Sequence, residues 1–442
     1  MKGLFFILAL VLISATATAG IKIEEEVYVL GHHPDIIKDM VQTGSVEIDH
    51  VTSKGFEAYG SKGLREHLVR RGLPVLDMPK MNKALFADYP THTQMTNTLK
   101  SIVEKYPGIM KMESIGKSVK GKDLWVIKIS KNVEKDEVKP EFKYISSMHG
   151  DEITGRELMV SLIAEIGERF TAGDAEVTKL VNNTEIFIMP SMNPDGSEAR
   201  RRANANGSDL NRNFPDIISD TESSARSRQL EVQHVMKWQE GRKFSLSANF
   251  HGGAVVVNYP WDSKKARHPL DAFVQELSNG YAATNKPMVN SREFEGGITN
   301  GADWYVVRGG MQDWSYNWHN DLQLTVELSD EKWPNYAAIP QFYKDNRESL
   351  FYYMNQIHRG AGFTLSKKGV SGSVKVVQTS PERIDLGNFA FSGSEFYKVL
   401  PSGAYEFTIS PQGGETQVIQ ADVSSKILVK SKYQKVKFQA LQ

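Results

Sequence analysis

The stretch "EFKYISSMHGDEITGRELMVSLIAEIGERF", residues 141–170, decides how the chain is read. Its first seven residues suit a strand. Beyond residue 153, Leu158, Leu162, Ile166 and Phe170 recur every four positions, the spacing of one helix face. Thr154 and Glu157 have the spacing of a capping box at the start of that helix. His149 and Glu152 therefore fall in the turn at the carboxyl end of a strand, where α/β sheets place their sites. Alone, a His-x-x-Glu pair is better explained by a surface hydrogen bond than by a metal.

Later segments change that balance. "FSLSANFHGG" (244–253) presents His251 after a second alternating strand, followed by two glycines that permit a tight turn. Taken singly, His251 reads as a core histidine bonded to backbone; two His and one Glu together form a zinc set with a fourth position open to water. Between them, "RRANANGSDLNRNFPD" (201–216) is either a solvated loop or an anion cradle, in which Arg212 offers a bidentate fork and Asn211 an amide donor. Glu327 sits in the mostly apolar strand "LQLTVEL" (322–328), a costly place for a carboxylate without a partner. A partly desolvated Glu beside a metal site is the expected general base.

The whole chain sets the frame. At 442 residues it exceeds one ordinary core, so two or three domains are expected. Lys+Arg and Asp+Glu are equal at 53 each, and nothing points to a nucleic-acid partner. At the N-terminus, Lys2 precedes the apolar run "LFFILALVLI" and then "SATATAG", which reads as a signal peptide (1–19) cleaved after Ala19. That run has about half the roughly twenty residues that a membrane span needs, so no span is expected once the signal is removed. The chain lacks cysteine, so an exported protein of this sequence draws its stability from packing or bound metal and not from disulfides. A secreted or periplasmic, bacterially exported protein is expected.

Residues 20–80 alternate short strands and amphipathic helices, a small α/β unit. A mixed α/β region runs from 83 to 360. From 363 to 442, "VSGSVKVV", "GAYEFTIS" and "TQVIQADV" alternate apolar and polar residues between turn formers, which predicts an all-β sandwich, with the domain boundary near "HRGAGFTLSKKG" (358–369).

In order, "HGDE", "MNPDG", "GSDLNRNFPD", "NFHGG", "NYPWD", "GGMQDWSY" and "ELSD" closely resemble the motifs of the zinc metallocarboxypeptidases. The resemblance is strongest to their regulatory, carboxypeptidase N/E-like branch, and covers about 83 to 442. It implies an α/β catalytic domain with a mixed central sheet flanked by helices, followed by a transthyretin-like β-sandwich. It also implies one Zn2+ held by His149, Glu152 and His251, with Glu327 as general acid/base and Arg202 stabilising the oxyanion. Asn211 and Arg212 would bind the terminal carboxylate of a peptide or protein substrate, Tyr305 would close over it, and Asp209 would orient His149. Asp262 and Gln312, otherwise ordinary loop and turn residues, match positions that point into the pocket for the last side chain. A carboxylate there implies removal of C-terminal Lys or Arg.

Two rivals are a carboxypeptidase of cell-wall peptides and an inactive binding protein; the second is expected to lose a ligand or the base, and every one is kept. Residues 20–80 lie outside the branch's plan, and two readings stay open: an inhibitory pro-segment or a permanent extra domain.

Overall fold

Residues 21–78, 89–428 and 430–441 are described by the computed structural model of the chain; the leader expected over 1–19 lies outside them. The first of these segments folds as strands β1 (Glu25–Leu30), β2 (Glu47–Asp49), β3 (Gly55–Gly60) and β4 (Val75–Asp77) in the order β2-β3-β1-β4. Helices Pro34–Thr43 and Leu64–Arg70 accompany the sheet. Val27, Val29, Ile37, Met40, Phe56 and Leu68 form its core. β3, which the alternation did not reveal, is buried along its whole length.

The central sheet contains β5 (Met110–Lys117), β6 (Asp123–Ile129), β7 (Glu141–Ser146), β8 (Glu185–Met189), β9 (Phe244–His251), β10 (Ala254–Tyr259), β11 (Ile298–Asn300) and β12 (Leu322–Ser329). Their order is β11-β10-β12-β9-β7-β8-β6-β5. The inner run β12-β9-β7-β8 is parallel, and antiparallel pairs flank it. Every residue of these four strands is buried, as expected of parallel strands covered on both faces. Successive side chains feed opposite cores. Tyr144, Ile186 and Ile188 meet helices Thr154–Thr171 and Ile339–Asn355, while Ile145, Phe187 and Met189 meet helices Leu230–Glu240 and Met311–His319.

The capping box expected at Thr154 and Glu157 does not form. Thr154 is the first residue of its helix, not the cap before it; its hydroxyl lies 3.1 Å from that of Ser329, while Glu157 accepts a hydrogen bond from Arg156. A reciprocal box forms one helix earlier, between Thr91 and Gln94.

The C-terminal strands are β13 (Gly360–Leu365), β14 (Gly372–Ser380), β15 (Ile384–Phe391), β16 (Glu395–Val399), β17 (Gly403–Pro411), β18 (Gln417–Val423) and β19 (Lys432–Val436). They form two sheets, β16-β13-β19 and β15-β14-β17-β18, with Phe363, Val374, Phe396 and Phe407 buried in the shared core. The first of these strands begins at Gly360, within the stretch 358–369 near which the boundary is expected, and β13 pairs with both β16 and β19. Among the described residues no helix is long and apolar enough to cross a membrane.

Candidate metal centre and active site

β7 ends at Ser146, and Ser147 turns the chain with a positive φ of 50°. The turn that follows carries His149 and Glu152. His251 is the last residue of the neighbouring strand β9, so the two segments meet at the carboxyl edge of the sheet. His149 Nδ1 lies 2.9 Å from Glu152 Oε1 and 3.0 Å from His251 Nδ1, which in turn lies 2.8 Å from Glu152 Oε2. All three are buried, and they are the one set among the described residues suited to hold a metal ion.

Three electron-pair donors this close in a buried site need a cation or a proton among them. Burial and Arg202 oppose protonation of His149, but the Glu152 and Asp209 carboxylates outweigh them and lift its imidazole to about 9. Burial instead lowers His251. A metal among these donors replaces the proton on His149. The donor types, two imidazoles and a carboxylate, suit zinc. Asp209 Oδ1 sits 2.9 Å from His149 Nε2 and fixes the ring, the support expected behind a metal-binding histidine.

Arg202, also buried, donates from Nε to Asp209 Oδ2 at 2.8 Å and from Nη1 to Asp49 Oδ2 at 2.5 Å. Glu327, on β12, is buried, and its Oε2 has no hydrogen-bond partner among the described residues. Burial, then the Glu152 and Asp49 carboxylates, push its carboxyl well above the usual range.

Asn211 Oδ1 accepts from Met311 N at 3.0 Å, and Arg212 Nη2 donates to Ile48 O at 2.9 Å. Tyr305 donates from its hydroxyl to Asp49 Oδ1 at 2.9 Å. Asp262 Oδ1 accepts from the Asn258 and Gln312 amides at 3.0 and 2.9 Å. Gly301 lies against this carboxylate; a Cβ there would stand 1.9 Å from Asp262 Oδ1. Burial, then Asp313, raise the Asp262 carboxyl well above its usual range. Of the pair, Asp313 is the better stabilised as an anion, because it accepts from the backbone of Asp262 and Ser263 and from the Ser263 hydroxyl. The sequence-derived residues therefore all converge on one edge of the sheet. A cavity of about 20 Å³ remains among them, walled by Asp49, Arg212, Asp262, Tyr305 and Glu327.

Two residues were missed. Asp49 ends β2 of the N-terminal unit, and nothing in "SVEIDHVT" marks it. Lys332 follows Glu327 by five residues in "ELSDEKWP" and binds Asp49 Oδ2 at 2.9 Å and Glu57 Oε2 at 2.6 Å. Its place in the loop beyond a strand's carboxyl end was the available signal.

The family model described as zinc carboxypeptidase matches residues 95–349. The chain belongs to the zinc carboxypeptidase family. Among its relatives, carboxypeptidase D of Homo sapiens is 39% identical over 342 residues, which are 71% of this chain and 24% of that protein. The chain thus spans about a quarter of the length of that relative. Carboxypeptidase M of Mus musculus is 36% identical over 367 residues, 77% of this chain and 82% of that protein. Carboxypeptidase SOL1 of Arabidopsis thaliana is 35% identical over 386 residues, covering 83% and 74%. The resemblance read from the ordered motifs is borne out. Two solved structures share the fold at low identity. Thrombin activatable fibrinolysis inhibitor has a TM-score of 0.58 at 15% identity, covering 75% of this chain and 98% of its own. Carboxypeptidase A from Helicoverpa armigera has a TM-score of 0.59 at 17% identity, covering 75% and 97%.

Proposed function

We propose that this chain is an exported zinc metallocarboxypeptidase that hydrolyses the last peptide bond of substrates ending in Lys or Arg. The observation that carries the reading is the buried convergence of His149, Glu152 and His251 beside the unpartnered carboxylate of Glu327. His149, Glu152 and His251 would hold zinc, which when bound would supply Lewis acidity for the hydrolysis. Glu327 takes the proton of the attacking water and returns it to the leaving amine. Arg202 donates to the carbonyl oxygen as charge develops on it, and its anchor on Asp209 keeps it aimed. Asn211 and Arg212 hold the terminal carboxylate, and Tyr305 closes over the last residue. Asp262, kept in place by Gln312 and Asn258, receives the cationic end.

Export rests on the leader-like run in residues 4–13, and the β-sandwich from Gly360 is read as transthyretin-like by resemblance. The test is the release of C-terminal Lys, Arg, Phe and Glu from otherwise identical peptides, with and without a chelator. The ratio among ends is the readout, and it holds whatever fraction of molecules is active. Lys and Arg ends are expected to be favoured and chelation to abolish release; a preference for Phe or Glu ends would overturn the pocket assignment.

A further inference from the structure

Asp262 is held from helix Met311–His319, and the β-sandwich holds that helix from its other end. Gln312, in the first turn, donates from Nε2 to Asp262 Oδ1 at 2.9 Å, and Asp313 accepts from the backbone N of Asp262 and of Ser263 at 3.0 and 2.9 Å. Tyr316 and Asn320 follow Gln312 at intervals of four, the spacing of one helix face. Asn320 closes the helix as its left-handed cap, with φ 60°. Lys398, on β16, donates to Asn320 Oδ1 and, at 3.4 Å, to the Tyr316 hydroxyl. Its amine lies 4.6 Å from the centre of the Tyr316 ring and 4.0 Å from that of Phe389, on β15.

A second path joins the same points through rings. Trp261, the residue before Asp262, packs against His268 with ring centres 4.8 Å apart, and His268 packs against Tyr316 at 4.2 Å. Burial lowers the His268 imidazole to about 3, so the ring is neutral, and its Nε2 has no hydrogen-bond partner among the described residues. It serves there as a wedge between the loop of Asp262 and the helix. Trp261, His268, Tyr316 and Lys398 are all buried. Interiors packed this closely transmit a displacement and do not absorb it.

Lysine is a poor choice for a strand that has only to pack. The Lys398 amine pairs with no carboxylate among the described residues, and burial alone lowers it well below the usual lysine range. A Met or Leu would occupy the space without desolvating a polar group. What the lysine adds is a donor whose reach ends on Asn320.

We propose that Lys398 is a positioning residue for the pocket of the last side chain: from the β-sandwich it fixes the far end of helix Met311–His319, and thereby the place at which Gln312 and Asp313 hold Asp262. The inference rests on the carboxypeptidase reading for the Lys or Arg end that Asp262 receives, and on the contacts for how the sandwich reaches the pocket.

The test uses the full zinc-loaded chain and otherwise identical peptides ending in Arg and in Leu. Lys398→Met, which fills the space and removes the donor, is expected to lower kcat/KM on the Arg end about tenfold through KM, the worth of one charge-assisted hydrogen bond in the pocket, and to leave kcat and the Leu end unchanged. Phe389→Leu, which loosens the seat of the amine, is expected to lower the Arg-to-Leu ratio by a smaller factor. Val418→Thr, on the edge strand β18 and exposed, is expected to leave the ratio unchanged. A readout free of turnover is hydrogen–deuterium exchange: the amides of Asp262 and Ser263 are expected to exchange about tenfold faster in Lys398→Met, with those of β7 unchanged. An unchanged ratio and unchanged exchange in both Lys398→Met and Phe389→Leu would overturn the positioning role and leave the carboxypeptidase standing. Exchange accelerated throughout the chain, β7 included, would overturn it as well, since Lys398 would then support the fold at large. Faster exchange confined to Asp262 and Ser263, with no release by any variant or by wild type, would sink the proposed chemistry and keep the positioning role.

Discussion

Glu327 and His251 stand in register on the neighbouring parallel strands β12 and β9. Parallel neighbours in register direct their side chains to the same face, and the ladder holds the strands about 4.8 Å apart. The spacing between proposed base and proposed ligand is therefore set by backbone hydrogen bonds. Glu327→Gln should keep this geometry and the metal while removing the proton acceptor. Release of C-terminal Arg is expected to fall by about 10²–10⁴ with zinc content unchanged, measured by steady-state assay and metal analysis on one preparation. A variant that stays active would remove Glu327 from the mechanism.

Asp209 works through His149. Its Oδ1 fixes the imidazole and its Oδ2 accepts from Arg202, so the one carboxylate sets the direction of two site residues. Asp209→Asn is expected to weaken zinc binding about 10–100-fold in a chelator competition. Unchanged affinity would mean that the backbone alone orients the ring.

Much of this site was legible because its chemistry sits in short motifs at strand ends. His149 and Glu152 share one turn, His251 ends an alternating strand, and Glu327 is a charge on an apolar one; each carries its own local signal. Asp49 carries none and Lys332 only its place in the loop beyond a strand's carboxyl end, because their roles arise from the docking of the N-terminal unit on the sheet edge, a contact between residues 283 positions apart. In the fold, β3 was hidden because its residues are buried on both faces and do not alternate. Strand β13 was less legible than its neighbours because it opens on Gly360 and Gly362, whose lack of side chains gives no alternation; Gly360 stands so close to Lys398 O that a Cβ would lie 2.1 Å from it. Thr154 misled for a different reason: its hydroxyl faces Ser329 and not the helix's first amides.

Glu141 gives a stability test away from the active site. It is buried at the start of β7, accepts from Lys243 N at 2.7 Å, and burial raises its carboxyl from 4.5 to about 7. A folded pKa above the unfolded one means that the native state holds the proton longer. The associated stability is fully present below about pH 4.5, is lost as pH rises through about 7, and stays lost above that. Glu141→Gln should match wild type near pH 4.5 and exceed it at about pH 8 by roughly 1–3 kcal/mol. Urea unfolding at both pH values measures this; equal differences at the two would show that Glu141 is ionised throughout.

The pocket for the last side chain couples specificity to pH. Burial, then Asp313, raise the Asp262 carboxyl well above the usual range, so the free enzyme keeps it protonated at lower pH. A guanidinium or ammonium arriving beside it favours the anion, and binding then releases a proton. Affinity for Arg-ending peptides should accordingly strengthen as pH rises, by up to about tenfold per unit, until Asp262 ionises in the free enzyme too. Glu327→Gln protein titrated with one Arg-ending and one Leu-ending peptide at about pH 6 and about pH 8 separates this from catalysis, since only the first peptide should show the slope. Asp262→Asn should abolish the slope and weaken Arg binding at least about tenfold. Gly301→Ala should also exclude Lys and Arg ends, because its Cβ would stand 1.9 Å from Asp262 Oδ1. A slope that survives Asp262→Asn would assign the titrating group elsewhere and leave Asp262 a packing residue.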